Sequence, residues 1–203
     1  PQVKPKVVQT PKVVQKKVQE PVVQKTEVDK TMGVFVTIGD SGTILTSLDG
    51  IEWSMRTSGA KNNLNGITYG EETYVIVGDS RSRGNKATIL TSSDGISWTS
   101  RNSKTSENLK GVTYGKGLFM AVGNEGTILT SLNGGFWISR TFGLFKHLRG
   151  VTYGNRLFVT VGNNGTIVTS SVGSTWTLSV NKVDTNGKQT MLSNNTSDLK
   201  GVI

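Results

Sequence analysis

Thr46-Ser47-Leu48-Asp49-Gly50-Ile51-Glu52-Trp53 returns as Thr91-Ser92-Ser93-Asp94-Gly95-Ile96-Ser97-Trp98 and again as Thr130-Ser131-Leu132-Asn133-Gly134-Gly135-Phe136-Trp137. A fourth copy, from Thr169 to Trp176, keeps Ser170, Gly173 and Trp176 but has Val172 where the acid should stand. The tryptophans at 53, 98, 137 and 176 are therefore spaced by 45, 39 and 39 residues. Self-similarity at such a period marks a repeat architecture.

The surroundings of each copy repeat as well. Upstream lies a Gly-x-x-Gly-Thr-Ile-Leu-type segment at 39–45, 123–129 and 162–168. The second copy, 78–90, carries six extra residues, which accounts for the spacing of 45. Before that runs an alternating apolar stretch at 34–38, 74–77, 118–122 and 157–161, and before that Leu-x-Gly-(Val/Ile)-Thr-Tyr-Gly at 64–70, 109–115 and 148–154. Four short strands, a to d, separated by glycine turns, predict an all-β chain. Four strands per repeat of about 40 residues predict a propeller blade.

The first repeat lacks strand a, and Leu199-Lys200-Gly201-Val202 at the other end matches its start. The expectation is a β-propeller of four four-stranded blades, the first closed by the C-terminal strand, which removes two exposed sheet edges. A piece of a larger ring and a ring shared between two chains are the open alternatives.

Composition divides the chain at the same place. All four prolines lie within the first 21 of the 203 residues, and all 25 glycines and all aromatic residues lie after position 32. Residues 1–30 repeat Pro-Lys-Val-Val-Gln at 5–9 and 11–15, and they hold seven Lys and three acids. Prolines so spaced forbid a regular helix and favour extended, PPII-like chain. Residues 1–30 thus read as a tail or tether, with the Val-Val pairs able to add to a partner's sheet edge. Residues 31–203 read as the propeller domain.

The bulk numbers exclude several classes. No apolar run reaches the ~18–20 residues of a membrane helix, and no secretion signal is present. Starting at Pro1, the chain reads as a processed or trimmed product from which a signal could have been removed. Zero cysteine excludes disulfides and thiolate metal sites. The net charge of +9 leaves only a mild excess on residues 31–203, so no nucleic-acid partner is expected.

The Ser-x-Asp-Gly-x-x-Trp copies resemble the Asp-box, or bacterial neuraminidase repeat, over about 170 residues. Independently of the name, Asp49 and Asp94 can accept backbone N–H bonds as Asx turns do, with Asn133 in the third copy. The glycines at 50, 95, 134 and 173 allow positive φ, and Trp53, Trp98, Trp137 and Trp176 offer apolar area between blades. In the resembled family the box is structural, which assigns that role to Ser47, Asp49, Gly50, Trp53, Ser92, Asp94, Gly95, Trp98, Ser131, Asn133, Gly134, Trp137, Ser170, Gly173 and Trp176. The texture looks most like the propellers of the photosystem II assembly-factor type, which implies a non-enzymatic protein that docks on membrane complexes.

No catalytic set stands apart from the repeats. The resembled sialidases need an arginine triad, a tyrosine–acid pair and an acid catalyst, and no positions here supply them. Glu71 and Glu72 are neighbours in an a–b turn and read as solvated turn charges. Asp40 and Asp79 alternate with Asn124 and Asn163 in b–c turns. His147 is the only histidine and reads as exposed in a d–a loop. No cofactor and no metal site is expected. A Trp-x-x-Arg pattern recurs at Arg56, Arg101 and Arg140, with Ser179 in the fourth copy. It marks either an outer-strand surface position or an arginine stripe for an acidic partner.

In such blades the b–c turns and d–a loops share one face. Both insertions fall there: the excess around Arg81, Arg83 and Lys86, and the long connection 180–198. The apolar loop Phe142-Gly143-Leu144-Phe145-Lys146 falls there too. Loops on a rigid scaffold carry function more often than the scaffold does, so Arg81, Arg83, Lys86, Phe142, Leu144, Phe145 and Lys146 are the candidate partner-binding residues. Phe142 and Phe145 alternatively plug the centre of the ring. The expected function is a binding scaffold docking by this face and its tail on a larger protein assembly, periplasmic or at the cell envelope or outside the cell. A carbohydrate-binding or glycan-processing propeller is the alternative.

Overall fold

The computed structural model describes residues 33–81, 84–140, 143, 146–179 and 198–202. They form four antiparallel sheets, each made by one sequence repeat. The first holds β1 (Phe35–Ile38), β2 (Ile44–Ser47) and β3 (Ser54–Arg56). The second holds β4 (Leu64–Gly70), β5 (Thr73–Ser80), β6 (Ala87–Ser92) and β7 (Thr99–Ser100). The third holds β8 (Leu109–Gly115), β9 (Leu118–Gly123), β10 (Ile128–Ser131) and β11 (Ile138–Ser139). The fourth holds β12 (Leu148–Gly154), β13 (Leu157–Gly162), β14 (Ile167–Ser170) and β15 (Thr177–Leu178). Strands pair in chain order within every sheet, the meander of a propeller blade. The tail, residues 1–30, lies outside the described residues.

The blades stack face to face, and the core sits between them. Trp98 packs with Val36, Ile38 and Ile44 of the first blade. Trp137 packs with Val75, Val77 and Ile89 of the second, and Trp176 with Met120, Val122 and Ile128 of the third. Each of these three tryptophans thus covers the blade before its own. It is placed by the turn between strands c and d. Ser92 Oγ–H and the backbone N–H groups of Ile96 and Ser97 all donate to Asp94 Oδ1, each at 2.8 Å. Asp49 repeats this with Ser47, Ile51 and Glu52. Asn133 makes the same set at 2.9 to 3.5 Å with Gly135, Phe136 and Ser131. Gly134, at φ 71°, both closes the turn and touches the preceding blade: a β-carbon there would lie 2.9 Å from Val75 Cγ2. The indole N–H groups of Trp98 and Trp137 donate to the carbonyls of Gly95 and Gly134.

The innermost strands approach closely. Register shifts at Leu64/Gly66, Leu109/Gly111 and Leu148/Gly150 put a bulge at the same place in β4, β8 and β12. The glycine after each bulge faces the next inner strand. A β-carbon on Gly66 would lie 3.3 Å from Gly111 Cα, and one on Gly111 would lie 3.4 Å from Gly150 Cα. Residues 198–202 continue the series, because a β-carbon on Gly150 would lie 3.1 Å from Gly201 Cα. Leu199 N–H donates to the Gly162 carbonyl at 3.1 Å, as Leu64 N–H does to the Gly39 carbonyl at 3.1 Å.

Here the structure departs from the sequence expectation. The first sheet has three strands among the described residues, not four, and residues 199–202 are not paired with β1. They occupy the position of an inner strand following blade 4. Sequence match shows what kind of strand they are, but which sheet they join depends on the angle between blades, which no local pattern carries.

Candidate functional site

The b–c turns of the first, third and fourth blades are 3-10 turns whose middle residue is left-handed: Ser41, Glu125 and Asn164, at φ 51° to 55°. In the second blade the extra residues extend the hairpin to a further pair, Ser80 opposite Ala87. The d–a loops lie against these turns, as expected. Gly126 N–H donates to the Lys146 carbonyl at 2.7 Å, and Ser80 N–H to Asn108 Oδ1 at 2.9 Å.

The extended hairpin of blade 2 and the loop leaving blade 1 enclose a groove of about 460 Å³. Its walls are Ser58 to Asn62 on one side and Arg81, Lys86, Thr88, Trp98 and Arg101 on the other. Lys61, Arg81, Lys86 and Arg101 are exposed, and no acid lines the groove. Asn62 fixes the floor by donating to the Asp79 carbonyl at 3.0 Å and to Thr88 Oγ1 at 2.9 Å. Arg101 is oriented by its Nε, which donates to Thr91 Oγ1 at 2.8 Å. A wall of cations beside an indole can take a carboxylate-bearing chain by charge and by stacking.

Arg81 and Lys86 are therefore brought together, and the structure adds Arg101 from the Trp-x-x-Arg pattern and Lys61, which the sequence reading passed over. Lys61 follows no repeat motif, so only its place beside the hairpin marks it. Lys146 is exposed on the same face, on the third blade's exit loop. Arg83, Phe142, Leu144 and Phe145 lie outside the described residues. Arg56 and Arg140 use the same Nε contact, to Thr46 and Thr130 at 2.7 and 3.2 Å. The pattern thus ties an outer strand to its neighbour as well as presenting charge.

Several of the acids have structural partners. Hydrogen bonds from Ile51 N–H, Glu52 N–H and Ser47 hold the Asp49 carboxyl below its ordinary range. For Asp94, desolvation works against ionisation, but the bonds from Ser97, Ile96 and Ser92 together outweigh it and lower the pKa. Asp79 pairs with Lys110 at 2.6 Å and accepts from Asn65 at 2.7 Å. Glu71 accepts the Tyr114 hydroxyl at 2.6 Å, so it is a tie between blades rather than only a solvated turn charge. His147 is half-buried, not free in solvent: its Nδ1 accepts Glu125 N–H at 3.3 Å. Among the described residues no cluster of acids and histidine has the makings of a metal site. No helix among them is long and apolar enough to cross a membrane.

No protein-family model matches the chain, and no curated protein matches it. Solved structures do. YCF48 bound to a D1 peptide aligns over 74% of this chain and 51% of its own, with a TM-score of 0.57 and 18% identity. The fold is shared with YCF48. The Cyanidioschyzon merolae YCF48 gives a TM-score of 0.55 at 19% identity, covering 74% of this chain and 53% of its own. The GH74 enzyme of Niastella koreensis gives 0.43 at 15% identity, covering 72% and 24%. The chain spans about half the length of the two YCF48 structures.

Proposed function

We propose that this protein is a non-enzymatic Asp-box propeller that binds a segment of a protein partner on its b–c and d–a loop face. It acts as an accessory or assembly subunit of a larger complex at the cell envelope, with residues 1–30 as a tether. The cationic groove carries this reading: Lys61, Arg81, Lys86 and Arg101 surround a cleft of about 460 Å³ beside Trp98, with no acid in its walls. A cleft of that size takes a few residues of extended peptide. The fold it shares with a YCF48 solved with a bound peptide supports the same reading. Glu71 and Asp79 tie one blade to the next and Asp49 and Asp94 hold their own turns, which supports a binding rather than a hydrolytic role.

The test is binding of a panel of fluorescent peptides, acidic, neutral and basic, to the full chain and to its Arg81→Glu/Lys86→Glu variant. The reading expects preference for acidic peptides, weakening with added salt, and loss of at least tenfold in affinity in the variant. Equal affinity for basic and acidic peptides, or an unaffected variant, would sink it.

A further inference from the structure

On the b–c and d–a loop face, the same kind of clip holds each of the four b–c turns. It is supplied by the residue just before a Leu-x-Gly segment: Asn63, Asn108, His147 and Asp198. Its side chain reaches back to the turn of one blade and accepts the N–H of that turn's second residue. Asn63 Oδ1 takes Ser41 N–H at 3.2 Å, Asn108 Oδ1 takes Ser80 N–H at 2.9 Å, and Asp198 Oδ1 takes Asn164 N–H at 3.2 Å. His147 Nδ1 takes Glu125 N–H at 3.3 Å. The main-chain carbonyl reaches forward. Those of Asn63, Asn108 and His147 each accept at 2.9 Å from the first turn residue of the next blade, Asp79, Asn124 and Asn163. Each of these three residues thus spans the seam between two blades.

Three of the clips use a side-chain oxygen, and the third in chain order uses an imidazole nitrogen. An amide oxygen accepts at any pH, and a carboxylate oxygen accepts whenever it is ionised. Nδ1 of a histidine accepts only while the ring is neutral with its proton on Nε2, because both nitrogens of the imidazolium are donors. Histidine ordinarily changes charge between about pH 5 and 8. The chain's only histidine therefore stands at a repeat position where that change breaks a bond between loop and turn. A partner for the charged ring is already in place, since Glu125 Oε1 lies 3.8 Å from Nδ1. The other charged groups on the neighbouring elements are engaged or turned to solvent. Arg149 donates through Nε to Asn163 Oδ1 at 2.8 Å and lies 3.9 Å from Asp198, Lys110 is paired with Asp79, and Lys146 is exposed. The turn keeps two further anchors, Asn124 N–H to the Asn108 carbonyl and Gly126 N–H to the Lys146 carbonyl. Losing the imidazole bond thus frees the left-handed Glu125 without unfolding the turn.

We propose that His147 is a proton-operated clip at the seam between blades 3 and 4. Neutral, it holds the Glu125 backbone and closes this seam as Asn63 and Asn108 close theirs. Charged, it lets the Glu125 N–H go, takes the Glu125 carboxylate and adds a positive charge to the loop face. The exchange needs only a proton from solvent. The loop face of blade 3 therefore changes as pH falls through the imidazole range, while the asparagine clips on the turns of blades 1 and 2 do not.

The test follows backbone amides of the full, isotope-labelled chain by NMR as pH is lowered from about 8 to about 5. The Glu125 amide resonance should move upfield, as loss of a hydrogen bond requires, with the same midpoint as the His147 ring protons. The Ser41 and Ser80 amides should stay still. His147→Asn installs the acceptor that the first two clips use, and in it the Glu125 amide should keep its bonded position across the range. Glu125→Gln removes the carboxylate and its own titration but leaves the backbone bond, so that amide should still move as the ring titrates. A Glu125 amide indifferent to the titration of His147 would overturn the proposal. So would one that moves alike in the parent chain and in His147→Asn. No peptide is present in any arm, so the outcome is independent of the binding proposed for the groove.

Discussion

The inter-blade contact can be tested by one substitution made twice. Gly115 and Gly154 both end an inner strand, and neither has a positive φ. They differ in the space beside them. A β-carbon at Gly115 would overlap the ring of Tyr153, which packs on Phe158 with centroids 4.7 Å apart, whereas one at Gly154 meets nothing within 4 Å. Gly→Ala at a permissive site gains about 0.4–1 kcal/mol from the stiffer unfolded chain. At Gly154 that is the whole effect. At Gly115 the ring must leave, an overpacking cost of about 1–3 kcal/mol, with part of an aromatic contact of about 0.5–1.5 kcal/mol lost as well. The gain is common to both, so the two variants should differ by about 1–4 kcal/mol. In a chain of this size that is about 2–16 °C in Tm at 2–4 °C per kcal/mol. Thermal melts of both variants at one concentration decide it. Equal shifts would refute the claim that Tyr153 of the next blade occupies the space beside Gly115.

Three further outcomes are expected. Trp137→Ala removes a fully buried indole between blades 2 and 3. It should lower stability by about 3–5 kcal/mol, read from the urea midpoint. The bonds at Asp49 and Asp94 lower both carboxyl pKa values. Their contribution is therefore complete above the unfolded carboxylate pKa and fades as pH falls through the lower, folded value. Asp94→Asn should flatten stability against pH in that acid range, measured by urea titration at several pH values. Asn133→Asp places a charged acceptor in the same turn, and should raise stability at pH 7 and add acid sensitivity that the present chain lacks at that turn.

Much of the fold was legible because the repeat carries its own ruler. Trp53, Trp98, Trp137 and Trp176 stand at equal places in the c–d turns, and the strands fall where the alternating segments predict. The side of each tryptophan's partner blade was not legible, since Val75 and Trp137 are 62 positions apart and only packing joins them. The candidate site was legible in part. Arg81 and Lys86 stand out as an insertion into a regular pattern, while Lys61 and the orienting bond on Arg101 depend on neighbours from another strand or blade. The ties Asp79–Lys110 and Glu71–Tyr114 span 31 and 43 positions, so the sequence reads their acids only as turn charges.

The seams also bear on how the molecule comes apart. Each blade touches only its neighbours, so stability is approximately a sum of blade and nearest-neighbour terms, as in a linear array. Among the described residues, blades 2 and 3 are packed on both faces and blade 1 on one. Blade 1 should therefore open before blades 2 and 3, so amide protons of β5 and β9 should exchange later than those of β1. The groove lies between the weakly held first blade and the firmly held second. Its width is thus governed by the first seam to loosen, and a peptide bridging both walls would fasten that seam.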